Sequence, residues 1–305
     1  MSKALRQSLS SVAGVVLGKE EQVRLAVACL LARGHLLIED LPGVGKTTLA
    51  QTLARVFSLQ YGRVQFTSDM LPADILGVSV YDPDNREFHL KEGPIFTQLL
   101  LADEINRTTP KTQSALLEAM EERQVTLDGV TRPLPDPFFV VATQNPVTQT
   151  GTFPLPESQL DRFLMRISLG YPAPEMEREL LAGGDRREAA EQLEGVLQPQ
   201  DLVKLSRAVE KVHVSADLVD YVQRILEYSR ACGEFVSGLS PRAGLGLLRA
   251  ARAWAVLDGR DYVIPEDVQA VLGPVCEHRL QPVAGGSALG AGQQLLEAVP
   301  VVRGS

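Results

Sequence analysis

The sequence predicts a parallel α/β sheet followed by a smaller, all-helical domain. Three observations carry that expectation. Five apolar runs recur between Gly34 and about Tyr171, separated by amphipathic helical patterns. Continuous apolar strands of this kind are buried on both faces. Two further segments alternate around Asp82-Pro83-Asp84-Asn85 and around Asp128-Gly129, the composition of hairpin turns. After Tyr171-Pro172-Ala173-Pro174 no strand-like run returns, and helical periodicity takes over.

Residues 35–40 (HLLIED) read as the first strand, and a helix follows with Leu49, Leu53, Val56 and Phe57 on one face. Strands are next expected at residues 62–67 (GRVQFT), 96–104 (FTQLLLADE), 138–145 (FFVVATQN) and 162–169 (RFLMRISL). Hairpins are expected at 78–91 and 124–134. In the helical part, Ser215 is placed to cap a helix carrying Leu218, Val219, Val222, Ile225 and Leu226. Ser240-Pro241 opens another that runs to about Gly259, and Pro265-Glu266-Asp267 starts a third. The expected division is an α/β domain at 1–172, a linker at 173–195, a helical domain at 196–280, and a tail at 281–305. The run AGGSALGAGQQ marks that tail as loosely ordered.

The composition belongs to a globular chain: 305 residues, 45% hydrophobic and 22% charged. A net charge of −8 counts against nucleic acid as the main partner, because such surfaces are usually basic. Cys29, Cys232 and Cys276 lie far apart without CxxC spacing, so no disulfide framework is expected and the cytoplasm is the expected compartment. The amino-terminal segment lacks the apolar core of a signal peptide, and no run approaches the roughly 18 apolar residues of a membrane span. The four histidines are scattered, and Cys276 with His278 is too small a set for a metal site.

The chemistry first shows in EDLPGVGKTTLA, beginning at Glu39. Positions 40–47 match the phosphate-binding pattern G-x-x-x-x-G-K-[ST] with Asp40 in place of the leading glycine. Gly43 and Gly45 permit the backbone to wrap phosphates. Lys46 reaches the β- and γ-phosphates, and the Thr47 hydroxyl is the Mg²⁺ ligand. An apolar strand then ends in Asp103-Glu104. In this reading Asp103 holds the metal shell and Glu104 polarises the attacking water. Asn145 stands at the end of the fourth strand, where polar residues face the ligand crevice of a parallel sheet. The plainer alternatives are helix-capping acids and a loop asparagine.

At these residues the chain resembles the AAA+ ATPases, and within them the MoxR group. The resemblance covers about residues 12 to 275 and rests on EDLPGVGKTTLA, LLLADEINRTTPKTQSALLEAMEE, VVATQNP, LPESQLDRFL and LSPRA, in that order. The two hairpins fit the clade with an insert in its second helix. The resemblance implies a P-loop AAA+ core, with a five-stranded parallel sheet covered by helices and two inserted hairpins, followed by a small helical lid. It implies ATP or ADP as ligand, with Pro42, Gly43, Val44, Gly45, Lys46, Thr47 and Thr48 around the phosphates and Val16, Leu17 and Gly18 along the adenine. Asn145 falls on the sensor-1 position, Arg162 on the arginine finger and Arg242 on sensor 2. Arg107, Arg123 and Arg132 lie near the same expected subunit boundary and compete with Arg162 for the finger. Without the family, each arginine reads as an ordinary solvated side chain.

The function implied is a Mg²⁺-dependent ring ATPase, a hexamer, that remodels protein clients in maturation or metal-cofactor assembly. The implied partner carries a von Willebrand factor A domain on a separate polypeptide. The alternatives are a magnesium-chelatase-type ATPase subunit, a nucleic-acid motor, or a switch that hydrolyses negligibly.

Overall fold

The computed structural model describes residues 3–145, 152–183, 186–285 and 288–302. The chain opens with helices α1 (Lys3–Val15) and α2 (Glu20–Leu31), then strand β1 (Leu36–Glu39), helix α3 (Lys46–Val56) and strand β2 (Tyr61–Gln65). A short helix, α4 (Pro72–Leu76), leads into the hairpin β3 (Gly77–Asp82) and β4 (Glu87–Glu92). Then come β5 (Leu99–Asp103), α5 (Pro110–Glu122), the hairpin β6 (Gln124–Leu127) and β7 (Val130–Pro133), and β8 (Phe139–Gln144). A turn of helix, α6 (Glu157–Leu160), precedes β9 (Met165–Ile167).

Five of these strands form one sheet in the order β2-β5-β8-β1-β9, and every neighbouring pair is parallel. The central strands β5 and β8 are buried along their whole length. Side chains alternate across a strand, and the sheet uses that alternation to separate two cores. Leu99, Leu101, Phe139 and Val141 face a core shared with α2, α3 and the helical domain. Leu100, Ala102, Val140 and Ala142 face the other, built with Ile75 and with Leu116, Leu117 and Met120 of α5. Each of the larger of these side chains contributes about 1.5–3 kcal/mol by leaving water. The sheet is therefore held from both sides, and its strand ends are fixed in space.

The hairpins stand outside these cores. Asp128 and Gly129 take φ of 50° and 77°, the left-handed pair that a two-residue turn requires. In β3–β4, Tyr81 pairs with Phe88 across the strands with ring centroids 5.2 Å apart, yet both remain exposed. Ser79 donates from its hydroxyl to Asp128, tying one hairpin to the other.

Beyond β9 lie α7 (Pro174–Ala182), α8 (Arg186–Glu191), α9 (Pro199–Glu210), α10 (Ala216–Ala231), α11 (Pro241–Asp258), α12 (Pro265–Cys276) and α13 (Ala291–Ala298). Ser215 and Ser240 cap as their positions lead one to expect: their hydroxyls accept from Leu218 N at 3.3 Å and Ala243 N at 3.1 Å. Helix α11 ends at Gly259 with φ 81°. This helical domain packs back on α2 through α9 and α11. Arg279 fastens it to the approach to β9, donating to Asp161 at 2.7 Å and to the Phe163 carbonyl at 2.7 Å.

Two sequence expectations are corrected. Residues 173–195 are not a bare linker, since α7 and α8 lie within them. The tail from Gln281 is not loosely ordered throughout, because α13 buries Leu295 completely and packs on α12. The glycines that read as disorder instead permit contact: a Cβ on Gly292 would lie 2.7 Å from the Gly273 Cα. Gly286 and Ser287 of the AGGSALGAGQQ run lie outside the described residues, as does Pro146 after the fourth strand.

Candidate active site

The turn between β1 and α3 carries Pro42 to Lys46. Gly43 and Gly45 hold φ of 87° and 97°, a region side chains rarely enter, and nothing lies within 4 Å of a Cβ built on either. The turn thus presents an open backbone cradle at a helix start, a place that favours anions. Its first residue explains the departure from glycine. The Asp40 carboxylate accepts from Leu41 N at 2.8 Å, Ser168 Oγ at 2.9 Å and Gly170 N at 2.6 Å. Burial raises its pKa, but these hydrogen bonds outweigh it and hold the carboxyl below its usual value. Asp40 therefore clamps the start of the loop to the end of β9.

Lys46 is buried, with its ammonium donating to the Asp40 carbonyl at 2.6 Å and to Asn145 Oδ1 at 3.2 Å. Burial lowers its pKa, opposed by the nearby charges of Asp40, Asp103 and Glu104. Asn145 donates onward from Nδ2 to Glu104 Oε1 at 3.1 Å. Three residues from three separate loops thus form one chain of contacts at the carboxyl ends of β1, β8 and β5.

Glu104 sits at φ 57° and ψ 48°, an uncommon conformation for a residue other than glycine. Its backbone N–H donates to Thr143 Oγ1 at 2.8 Å, and that hydroxyl donates to Asp103 Oδ1 at 2.7 Å. The second oxygen of Glu104 accepts from Gln65 Nε2 at 2.9 Å and pairs with Arg107 Nε at 2.9 Å. Asp103 Oδ2 pairs with Arg63 at 2.8 Å. Sequence reasoning missed Gln65, Thr143 and Arg63 and did not connect Arg107 with Glu104. Gln65 ends β2, and only the β2–β5 pairing of the folded sheet brings it to the edge where a parallel sheet places its ligand crevice.

The donor set suits a nucleotide with a small, hard cation. The Thr47 hydroxyl makes no hydrogen bond among the described residues, and Asp103 supplies a carboxylate. Magnesium takes one or two such protein oxygens together with phosphate oxygens. Thr48 belongs to the first turn of α3 and gives its carbonyl to the Thr52 hydroxyl at 2.7 Å. Val16 is buried, and Gly18 takes φ 65° against Met176, whose Cγ would lie 3.0 Å from a Cβ there. Leu17 lies between them, on the turn between α1 and α2.

Arg162 and Arg242 lie elsewhere. Both pair with Glu121, at 3.1 and 2.9 Å, and Arg242 also approaches Asp161 at 3.5 Å. Glu121 is in the last turn of α5, and Arg162 precedes β9, so this cluster sits at the amino ends of the parallel strands. Four-residue β1 alone separates the two ends by about 13 Å. Arg132 belongs to β7, opposite Val125. Arg123 donates to the Arg33 carbonyl at 3.0 Å, also at the amino ends.

The model of the ATPase family associated with various cellular activities (AAA) matches residues 35–165, and that of the AAA lid domain matches 227–298. The Mycobacterium tuberculosis protein named Chaperone MoxR1 is 43% identical over 286 residues, covering 90% of this chain and 75% of its own. The chain belongs to the MoxR family of AAA ATPases. A second relative is the uncharacterized protein YeaC of Bacillus subtilis (strain 168), 46% identical over 276 residues, or 90% of this chain and 86% of that protein. A crystal structure from Cytophaga hutchinsonii superposes with a TM-score of 0.88 at 35% identity, covering 98% of this chain and 95% of that one. The lid assignment fits the helical domain, the AAA match spans β1 to β9, and ATP hydrolysis is the activity of the chain. No helix among the described residues is long and apolar enough to cross a membrane.

Proposed function

We propose that this MoxR-type ATPase works as a ring, a hexamer in the cytoplasm, whose subunits complete one another's sites to remodel a protein client. One observation supports the ring above others. Lys46, Asn145 and Glu104 meet at the carboxyl ends of the sheet, whereas Arg162 and Arg242 share Glu121 at the amino ends. Arg162 and Arg242 are then turned toward the nucleotide of a neighbour.

In this reading the cradle from Pro42 to Thr48 and the Lys46 ammonium bind the phosphates of ATP, with Val16, Leu17 and Gly18 along the base. Thr47 and Asp103 hold Mg²⁺, which supplies charge neutralisation at the phosphoryl oxygens when bound. Glu104 accepts a proton from the attacking water, and Asn145 orients the pair. Glu104 must first leave Gln65 and Arg107, which occupy the oxygen not bound by Asn145. The neighbour's Arg162 and Arg242 balance charge on the transferred group, a contribution of about 10³–10⁵ in rate for a finger in general.

The client reading draws on the exposed Val78, Val80, Tyr81 and Phe88 of the first hairpin. The relative named a chaperone points the same way. Maturation or metal-cofactor assembly of that client, with a separate von Willebrand factor A-domain partner, is the output we propose.

Mixing Arg162→Ala with Lys46→Ala chains tests the ring. Each alone hydrolyses poorly, and mixed rings regain part of the activity because an intact loop meets an intact finger at some boundaries. Absence of recovery, with subunit exchange demonstrated by labelled chains, overturns the arrangement. A pull-down with Glu104→Gln chains held with ATP tests the client; retention of nucleic acid instead of protein would favour a motor.

A further inference from the structure

Three guanidinium groups converge on one pocket at the amino ends of the sheet, with too few acids to balance them. The pocket measures about 290 Å³ and lies between the end of α2, the end of α5 and the lid helices α9 and α11. Arg33, Arg123 and Arg249 line it, with Ser206 and Glu210. None of these five belongs to the nucleotide site or to the Arg162–Glu121–Arg242 cluster.

Arg33 and Arg123 each follow a helix end, and both take φ 53°. That left-handed conformation ordinarily goes to glycine or asparagine. Side chain and backbone are then interlocked, since Arg123 Nη2 donates to the Arg33 carbonyl at 3.0 Å. Arg33 pairs with Asp136 at 2.6 Å, which leaves most donors of the trio uncommitted. Arg249, from the lid, has no hydrogen bond or ion pair among the described residues. Ser206 is only 4% exposed, and its hydroxyl also lacks a hydrogen bond among them. Glu210 is the one acid in the lining; its charge acts on Arg249 without a direct ion pair to any of the three arginines among the described residues. Burial lowers the pKa of Arg123, and the charges of Arg33 and Arg249 lower it further, against Asp136. The pocket therefore concentrates like charge in partly desolvated surroundings.

We propose that this pocket binds a compact phosphate-class oxyanion, held between the core arginines Arg33 and Arg123 and the lid arginine Arg249. Planar guanidinium forks suit such an anion, because they offer paired N–H donors to paired oxygens. The volume admits inorganic phosphate or the phosphoryl end of a small monoester. Either would fasten the lid to the core at the opposite end of the sheet from the ATP cradle.

Calorimetric titration of the full chain with inorganic phosphate, and separately with glycerol phosphate, decides the matter. The titrations use Lys46→Ala chains and, in parallel, wild-type chains saturated with ADP, so that the ATP cradle does not contribute. We expect one site per chain in both backgrounds, and the tighter of the two probes identifies the source of the anion. Arg249→Gln should weaken binding by at least about tenfold, the usual size of a lost charge-assisted hydrogen bond. Glu210→Gln should tighten it, a response that a merely structural role would not produce. The absence of saturable heat in both backgrounds overturns the proposal, as does binding indifferent to both substitutions. If neither probe binds and Arg249→Gln instead alters the oligomeric state, a carboxylate of a second copy fills the pocket and the proposal is wrong.

Discussion

The Asn145 amide and the Glu104 carboxylate lie 3.1 Å apart, joining the end of β8 to the end of β5. Asn145 also receives Lys46 at 3.2 Å, so one amide contacts both the proposed phosphate-binding lysine and the proposed catalytic base. Glu104→Gln should keep ATP affinity, because the amide preserves shape, but should slow turnover by about 10²–10⁴, the range of a lost general base. Binding and single-turnover assays separate the two effects. Turnover near the wild-type rate would move the base elsewhere.

Asp40 offers a test of stability. Its carboxylate satisfies three donors in the turn between β1 and the end of β9. Asp40→Ala leaves them without that acceptor and should cost about 1–3 kcal/mol. The measured quantity is the denaturant midpoint, with an unchanged slope. A midpoint equal to the wild type would mean that the clamp adds nothing.

His35 sets an acid limit. It is buried between α5 and β8, accepting from Val140 N at 3.0 Å on Nδ1 while Nε2 contacts the Met120 carbonyl at 3.1 Å. Burial lowers its pKa from 6.5 to about 4, with a smaller opposing effect of the Met120 carbonyl. A depressed histidine binds its proton more tightly in the unfolded chain. Its contribution is therefore fully present above about pH 6.5 and is lost as pH falls toward 4. Stability measured between those values should fall more steeply than in His35→Gln, and equal slopes would contradict the account.

The first hairpin should matter to clients more than to chemistry. Tyr81 and Phe88 meet at a tilt in the open, with 49% and 72% of their surface exposed. The double change Tyr81→Ser, Phe88→Ser should leave basal hydrolysis within about twofold, since surface substitutions cost little stability. Stimulation by a bound client should fall. A collapse of basal activity in a folded variant would assign the hairpin to a subunit boundary instead.

The five strands and both hairpins were readable because burial on two faces leaves continuous apolar runs, and turns leave Asp128-Gly129. The cradle was readable too, since its two glycines and Lys46 fall within four consecutive positions. What escaped was lateral. Gln65 reaches Glu104, and Arg63 reaches Asp103, through the β2–β5 pairing, and nothing in a linear chain marks which strand ends become neighbours. Glu121 escaped for the same reason: a carboxylate near the end of α5 carries no linear mark of Arg162 and Arg242, which only the fold brings to it. Helix α13 was hidden by composition, because glycines that permit close helix contact look the same in sequence as glycines that permit disorder.

The parallel sheet gives each copy two unlike ends, a cradle at one and a pair of arginines at the other. In the proposed ring an isolated chain owns half of two different reaction centres and the whole of none. Its specific activity should then rise with protein concentration and vanish on dilution. If the proposed ring holds, a freshly synthesised copy stays silent until neighbours arrive, and the census of neighbours becomes the on-switch.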